Sequence, residues 1–239
     1  MVGCAGWSIP GRYAALFGPG DSMLARYATR FKVVEINSSF YRPHQQNTYA
    51  RWAAAVPADF RFSVKLPRTI SHDSGLVGVG PLLERFLDEV AGLGPTLGGL
   101  LLQLPPSLGF DARRVSSVLR TLRRRTQAPL VCEPRHASWF CASADALLQR
   151  HDAARAAVDP PRVPDAALPG GAGSWRYWRW HGAPRIYYSD YDDATLQALA
   201  LQVRQHATPG HRPWVIFDNT AHGFAVANAA RLQALLADA

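Results

Sequence analysis

The stretches FKVVEIN (31–37) and FRFSVK (60–65) decide the fold. Each alternates apolar and polar side chains with a period of two, the spacing of a β-strand whose faces meet different surroundings. Val34 and Ile36 share one face, with Glu35 and Asn37 on the other. Phe60, Phe62 and Val64 likewise oppose Arg61, Ser63 and Lys65. If the apolar faces meet a layer of helices, Glu35, Asn37 and Lys65 point into an enclosed sheet. Outward from these two, eight short apolar segments appear, at 2–6, 33–37, 60–65, 98–103, 130–133, 154–158, 175–181 and 214–217. Amphipathic stretches lie between them at 22–30, 48–55, 82–93, 112–124, 143–150 and 194–206, and a last one runs over 224–236. Ser22, Thr48, Asp111 and Ser143 are expected helix N-caps. Eight strand starts spaced 21 to 39 residues apart predict an α/β (β/α)8 TIM barrel, read as a single domain over 1–239. The stretch 160–174 holds four Pro and three Gly and is expected to replace the sixth helix with a loop. A doubly wound open sheet is the alternative, but no GxGxxG or P-loop follows any strand.

Composition narrows the function classes. The 239 residues carry 26 Lys and Arg against 18 Asp and Glu, a net charge of +8. With 48% hydrophobic residues, the chain can build a core and is not disordered. No apolar run approaches the ~20 residues of a membrane span. The N-terminal MVGCAGWS lacks the pattern of a signal peptide, and three cysteines without a CxxC argue for a reducing, cytoplasmic setting. Of the 26 basic residues only Lys32 and Lys65 are lysine, so the basic balance reads as Arg-for-Lys usage and is weak evidence for nucleic acid. In such a chain, a lysine at a strand end suggests chemistry that arginine cannot supply.

Barrels of this kind place their sites at the C-terminal ends of the strands. Alternation puts Glu35, Asn37, Lys65, Glu133, Arg135, Arg179 and His181 on inward faces at that end. Each has a plain structural reading. Glu35 and Lys65, on adjacent strands, would make a barrel ion pair; Glu133 and Arg135 a local salt bridge; His181 a core histidine; Asp218 and Asn219 a cap on the last helix. Arg179 inside a barrel demands an anionic answer, from Glu35, Glu133 or a substrate. Loop residues Arg12, Arg42, Arg68, Arg135, Arg162 and Arg185 would ring the mouth, with Trp7, Tyr13, Phe40, Tyr41, Trp139, Tyr187 and Tyr188 among them. Arg123, Arg124 and Arg125 precede strand five and are expected to form a solvated patch on the opposite end. Neither HExxH nor a nucleophile elbow occurs, and no spacing of His, Asp and Glu picks out a metal site.

At these same residues the chain resembles the domain of unknown function 72 family, also called YecE-like. The resemblance rests on VGCAGWS (2–8), FKVVEINSSFYRPH (31–44), PADFRFSVKLPRTISHD (57–73), LLLQLPPS (100–107), CEPRHASW (132–139), YWRWHG (177–182) and FDNTAHGFAVANAARL (217–232). It implies a TIM barrel. The family's recurrent positions map onto Glu35, Asn37, Tyr41, Lys65, His72, Gln103, Glu133, Arg135, Trp139, Arg179, His181 and Asn219. CEPRH departs from the family in the residues before Glu and before Arg, leaving the charged pair intact. The resemblance points at a site and names no reaction.

The first expectation is therefore an enzyme for a small anionic, hydroxyl-bearing substrate, such as a phosphorylated sugar or nucleotide. Arg135 and Arg179 would hold the anion, with Asn37, Tyr41, His72, Gln103, Trp139 and Asn219 lining the site. Glu35, Glu133 and His181 would carry acid–base chemistry, and Lys65 would stabilise negative charge or form a Schiff base. A metal-dependent nuclease using His72, Glu133, Asp159 and His181 is the second expectation, and a metabolite-binding module the third. No membrane partner is expected, and no motif points to a particular cofactor.

Overall fold

The computed structural model describes residues 1–172, 175–207 and 213–237. The last two residues of the expected 160–174 loop, Gly173 and Ser174, lie outside the described residues, as does the end of the 1–239 range.

Seven strands follow the alternation: β1 (Val2–Ala5), β2 (Val33–Ile36), β3 (Arg61–Lys65), β4 (Leu97–Gln103), β5 (Leu130–Glu133), and, later in the chain, β9 (Tyr177–Trp180) and β10 (Trp214–Phe217). The sixth barrel strand is split at Ala156 into β6 (Ala153–Arg155) and β7 (Ala157–Asp159). β6 pairs in parallel with β5, and β7 pairs in parallel with β9. Because one continuous chain pairs on both sides, the sheet closes into an eight-membered parallel barrel in the order β1, β2, β3, β4, β5, β6/β7, β9, β10 and back to β1. Ala156 bridges the break by donating its N–H to Cys132 O at 2.8 Å.

Helices α1 (Met23–Ala28), α2 (Gln46–Ala54), α3 (Gly80–Val90), α4 (Ala112–Arg125) and α5 (Ala142–Arg150) follow the first five strands, while α6 (Asp193–Gln205) and α7 (Phe224–Ala237) follow the last two. Their apolar stripes fit against the sheet. Val115, Val118, Leu119 and Leu122 of α4 are buried at the spacing of one helical face. Ser22 and Asp111 cap their helices as expected, accepting from Ala25 N and from Arg113 N and Arg114 N. Thr48 and Ser143 do not: Gln45 and Cys141 occupy those N-cap positions without a side-chain cap bond.

The sixth helix is replaced, as the Pro/Gly composition predicts. In its place are a 3-10 turn (Pro164–Ala167) and a two-residue strand, β8 (Gly170–Gly171), antiparallel to β6. Buried Arg155 ties this substitute down, donating to Asp145 Oδ1 at 3.1 Å and Asp165 O at 3.0 Å and lying 4.8 Å from the Phe140 ring centroid. Arg123 also differs from expectation. It donates to His151 O and Ala128 O, both at 2.8 Å, and so clamps the end of α4 onto the start of β6 rather than facing solvent.

The apolar interior has two layers. One lies between helices and sheet; the other fills the barrel with Val33, Leu101, Val131, Ala154, Ile216, Tyr177, Trp175 and Trp214. Trp175 and Trp214 pack edge to face, centroids 5.1 Å apart, and plug the N-terminal end. Gly98 and Gly99 make room for them: a Cβ would sit 2.4 Å from Trp214 Cη2 and 2.5 Å from Trp175 Cη2. Because the floor is sealed, polar groups gather above it. Gly99→Ala should lower stability by about 1–3 kcal/mol through overpacking, read as a drop of several degrees in the thermal midpoint. Combining it with Trp175→Phe should recover part of the loss; an unchanged midpoint for Gly99→Ala contradicts the plug.

Candidate functional site

Above the plug, the inward faces at the C-terminal ends of the strands converge on Arg179, which is 0% exposed. Its Nε donates to Glu35 at 3.0 and 3.1 Å, and its Nη2 to Glu35 Oε1 at 2.7 Å. Nη2 also meets Asp218 Oδ2 at 2.9 Å, and Nη1 meets Glu133 Oε2 at 3.3 Å. Three buried carboxylates, from β2, β5 and the residue after β10, thus share one guanidinium, whose fixed fork suits such bridging. Tyr177 donates to Glu35 Oε2 at 3.0 Å and lies 3.1 Å from Ser63 Oγ beneath it.

A second tier stands at the mouth. His181 places Nδ1 3.1 Å from Asp218 Oδ2 and Nε2 3.3 Å from Glu133 Oε1. The same Glu133 oxygen accepts from Gln103 Nε2 at 2.9 Å and Arg135 Nε at 3.0 Å. Burial would push the Glu133 carboxyl up, but Arg135, Arg179 and His181 together hold it well below the usual carboxylate range. Asp218 is shifted down too: burial opposes it, while Arg179, His181 and Lys65 favour its charge. Glu133 and His181 form one wall of a small cleft whose other walls include Arg135, Arg162, Pro160 and Ile186. Arg162 is exposed and has no hydrogen bond or ion pair among the described residues. Tyr187, in the loop over the mouth, holds a left-handed backbone (φ 71°) and donates its N–H to His181 O.

Lys65 ends β3 and is 3% exposed. Glu35 gives its oxygens to Arg179 and Tyr177, so the expected Glu35–Lys65 ion pair is not formed. The ε-amine has no hydrogen bond or ion pair among the described residues and sits 3.9 Å from the Phe40 ring centroid, a cation–π contact. Burial, reinforced by Arg179 and opposed by Glu35, Glu133 and Asp218, brings its pKa down to about 8.

Glu35, Lys65, Glu133, Arg179 and His181 are therefore together at one end of the barrel. Other expected site residues divide. Gln103 and Arg135 join the cluster through Glu133. His72 lies on a π-helical turn (Thr69–Asp73), edge-on to Phe40 with centroids 4.9 Å apart. Asn37 is half-buried, with a buried Oδ1 that has no partner among the described residues. Tyr41 is 69% exposed and touches Phe40. Trp139 is instead a core residue, 0% exposed, donating to Leu108 O at 3.0 Å and packed on Phe110. Asn219 is also fully buried and ties the 182–191 loop to α7 through Ser189 O and Asn228 Oδ1. Arg179, expected to grip an anion, is saturated by protein carboxylates. His72, Glu133, Asp159 and His181 do not assemble: Asp159 accepts from Tyr191 at 2.7 Å, and among the described residues no three His, Cys, Asp or Glu side chains are placed around a common metal position. Asp218, read from sequence as a helix cap, proves central; its place one residue beyond a strand of alternating face was the signal available.

A model of the family described as protein of unknown function DUF72 matches residues 1–239. UPF0759 protein YecE of Escherichia coli K12 is 35% identical over 108 residues, 45% of this chain and 38% of YecE. UPF0759 protein YunF of Bacillus subtilis 168 is 25% identical over 148 residues, 58% of this chain and 51% of YunF. The match thus spans about half or less of these curated relatives. A DUF72 family protein from Enterococcus faecalis V583 superposes with a TM-score of 0.81 at 23% identity, covering 99% of this chain and 94% of that one. Another, from Thermotoga maritima MSB8, gives 0.79 at 25% identity, covering 99% and 98%.

Two opposite stability effects follow from the geometry. Arg179→Met strands three buried carboxylates and should cost about 3–5 kcal/mol or more. Lys65→Met should instead stabilise the fold. A lysine brought from 10.5 to about 8 is penalised while it is protonated, by about 3 kcal/mol. Both states are protonated below pH 8, so the gain is largest there; above it the folded chain sheds its proton first, and the gain fades toward pH 10.5. Thermal unfolding of both variants across pH checks this, and destabilisation by Lys65→Met at pH 7 contradicts it.

Acid acts on the carboxylates. With folded values below the ordinary 4.5 of Glu133 and 3.8 of Asp218, their contribution is intact at neutral pH. It is lost as the pH falls below about 4.5 and on through the lowered values. Denaturant titrations from pH 7 to 2 should show this decline, and Glu133→Gln should flatten it.

Proposed function

Because this chain belongs to the family of proteins of unknown function DUF72, we propose its function from the barrel mouth: an enzyme acting on a small anionic, hydroxyl-bearing substrate, a phosphorylated sugar or a nucleotide. The observation that carries this reading is the cleft in which Arg135 and Arg162, the latter without a partner among the described residues, face the Glu133–His181–Asp218 chain. Arg135 spends Nε and Nη2 on Glu133, and Arg162 spends nothing on the described residues, so the pair offers guanidinium donors to an anion.

Proton transfer falls to His181. Glu133 accepts from Gln103, Arg135 and Arg179 and is held ionised, which suits a fixed negative charge better than a proton carrier. Glu35 lies below, committed to Arg179 and Tyr177. His181 is held more firmly at Nδ1, by Asp218 at 3.1 Å, than at Nε2, where Glu133 stands at 3.3 Å. A substrate hydroxyl in the cleft would compete for Nε2 while Asp218 keeps the ring oriented, the base-and-orienter arrangement of acid–base catalysis. Pro160, Pro161 and Ile186 supply an apolar wall for the rest of the ligand.

The test is a thermal-shift and calorimetric panel of sugar phosphates and nucleotides beside their unphosphorylated counterparts. Phosphorylated compounds should raise the midpoint and their counterparts should not. The double change Arg135→Gln with Arg162→Gln should weaken binding at least tenfold, about 1.4 kcal/mol. Affinity unchanged in the double variant contradicts the reading.

A further inference from the structure

We propose that Lys65 is an amine nucleophile that forms a Schiff base with the carbonyl carbon of the substrate bound at this mouth. The proposal rests on the reading of the cleft as a site for a phosphorylated, hydroxyl-bearing compound, and it specifies that the compound carries an aldehyde or ketone.

The geometry isolates the amine. Lys65 is the last residue of β3, and its backbone is pinned by Ser39, whose Oγ donates to Lys65 O at 2.6 Å and lies 3.0 Å from Ile36 O. The carboxylates that would neutralise a buried ammonium are all taken: Glu35, Glu133 and Asp218 each contact Arg179. The amine is left against the face of Phe40, without a hydrogen bond or ion pair among the described residues. A structural lysine at this depth would be expected to have a paired carboxylate. Burial and the neighbouring Arg179 favour the neutral amine, the form with a free electron pair. Lys32, the chain's other lysine, is the opposite case: exposed, and paired with Asp59 at 3.2 Å.

The chemistry balances without a redox partner. The nitrogen lone pair attacks the carbonyl carbon, the C–N bond forms, and the carbonyl oxygen takes up a proton. The nitrogen gives up a proton, and the resulting hydroxyl leaves as water on protonation, giving the iminium; hydrolysis reverses each step. His72 stands edge-on to the same Phe40 ring, and its pKa is lowered by burial and by Lys65, Arg135 and Arg68. Its neutral imidazole is the group on this side of the mouth suited to accept the proton shed by nitrogen.

With two lysines and the N-terminal amine, the test carries its own control. The full chain is incubated at pH 7.5 with glycolaldehyde phosphate and cyanoborohydride, and the adduct is located by peptide mass analysis. Lys65 should be labelled at least tenfold faster than Lys32, with a rate that saturates in the aldehyde and falls when inorganic phosphate is added. Lys65→Arg should remove that label while keeping phosphate binding. Lys65 unlabelled, or labelled no faster than Lys32, overturns the proposal. If phosphate still binds in that event, only the Schiff base is rejected; if phosphate does not bind, the reading of the cleft falls with it.

Discussion

A guanidinium removed from water inside a barrel is stable only if fixed negative charge surrounds it. Arg179 meets that condition with Glu35, Glu133 and Asp218, brought from β2, the end of β5 and the residue after β10. The constraint propagates both ways. Downward, Glu35 must be satisfied on its remaining side, which Tyr177 does above the Trp175–Trp214 plug. Upward, the fixed positions of Glu133 and Asp218 hold the two nitrogens of His181 and the fork of Arg135. The mouth is preorganised because its foundation is electrostatically rigid, as an acid–base site requires.

Charge arithmetic sets Lys65 apart. Three carboxylates face Arg179, Arg135 and Lys65, so the cluster is near neutrality with all six ionised. Contacts, however, are unevenly shared: both arginines take carboxylates, and among the described residues the lysine takes only an aromatic face. A buried amine kept at the expense of stability is the kind of compromise found where function sets the residue. Buried Arg155, by contrast, is a guanidinium answered by Asp145 and by the Asp165 carbonyl, and it holds the barrel's substitute for a sixth helix in place, while half-buried Arg123 spends its donors on backbone carbonyls between α4 and β6.

Much of this was legible in the sequence because strand periodicity is a local property. The alternation in 31–37 and 60–65 placed Glu35 and Lys65 inward, and the same reading put Glu133, Arg135, Arg179 and His181 at the mouth. Partner choice was legible only in part: Glu35 and Glu133 were among the answers expected for Arg179, and both contact it, but which of the alternative pairings forms depends on which strands face each other across the barrel. Glu35 and Lys65 are on adjacent strands and read as a pair, yet the arginine reaching across from β9 is the one that takes Glu35. Trp139 differs from expectation for a related reason: an indole after a strand reads as a mouth aromatic, but Leu108 and Phe110 fold over it and leave it in the core. The split of the sixth strand at Ala156 has no sequence signature beyond a run of small residues, since it arises from closing the ring between β5 and β9.

Arginine side-chain NMR tests most directly whether Arg179 is scaffold while the cleft arginines meet the ligand. The Nε–Hε signals of Arg179, Arg135 and Arg162, assigned by Arg→Gln variants at the latter two, are followed through a titration with inorganic phosphate. The account predicts an Arg179 signal that is protected from solvent exchange and does not move, while those of Arg135 and Arg162 shift together with one saturation curve. An Arg179 signal that shifts with phosphate while Arg135 and Arg162 stay still would contradict it.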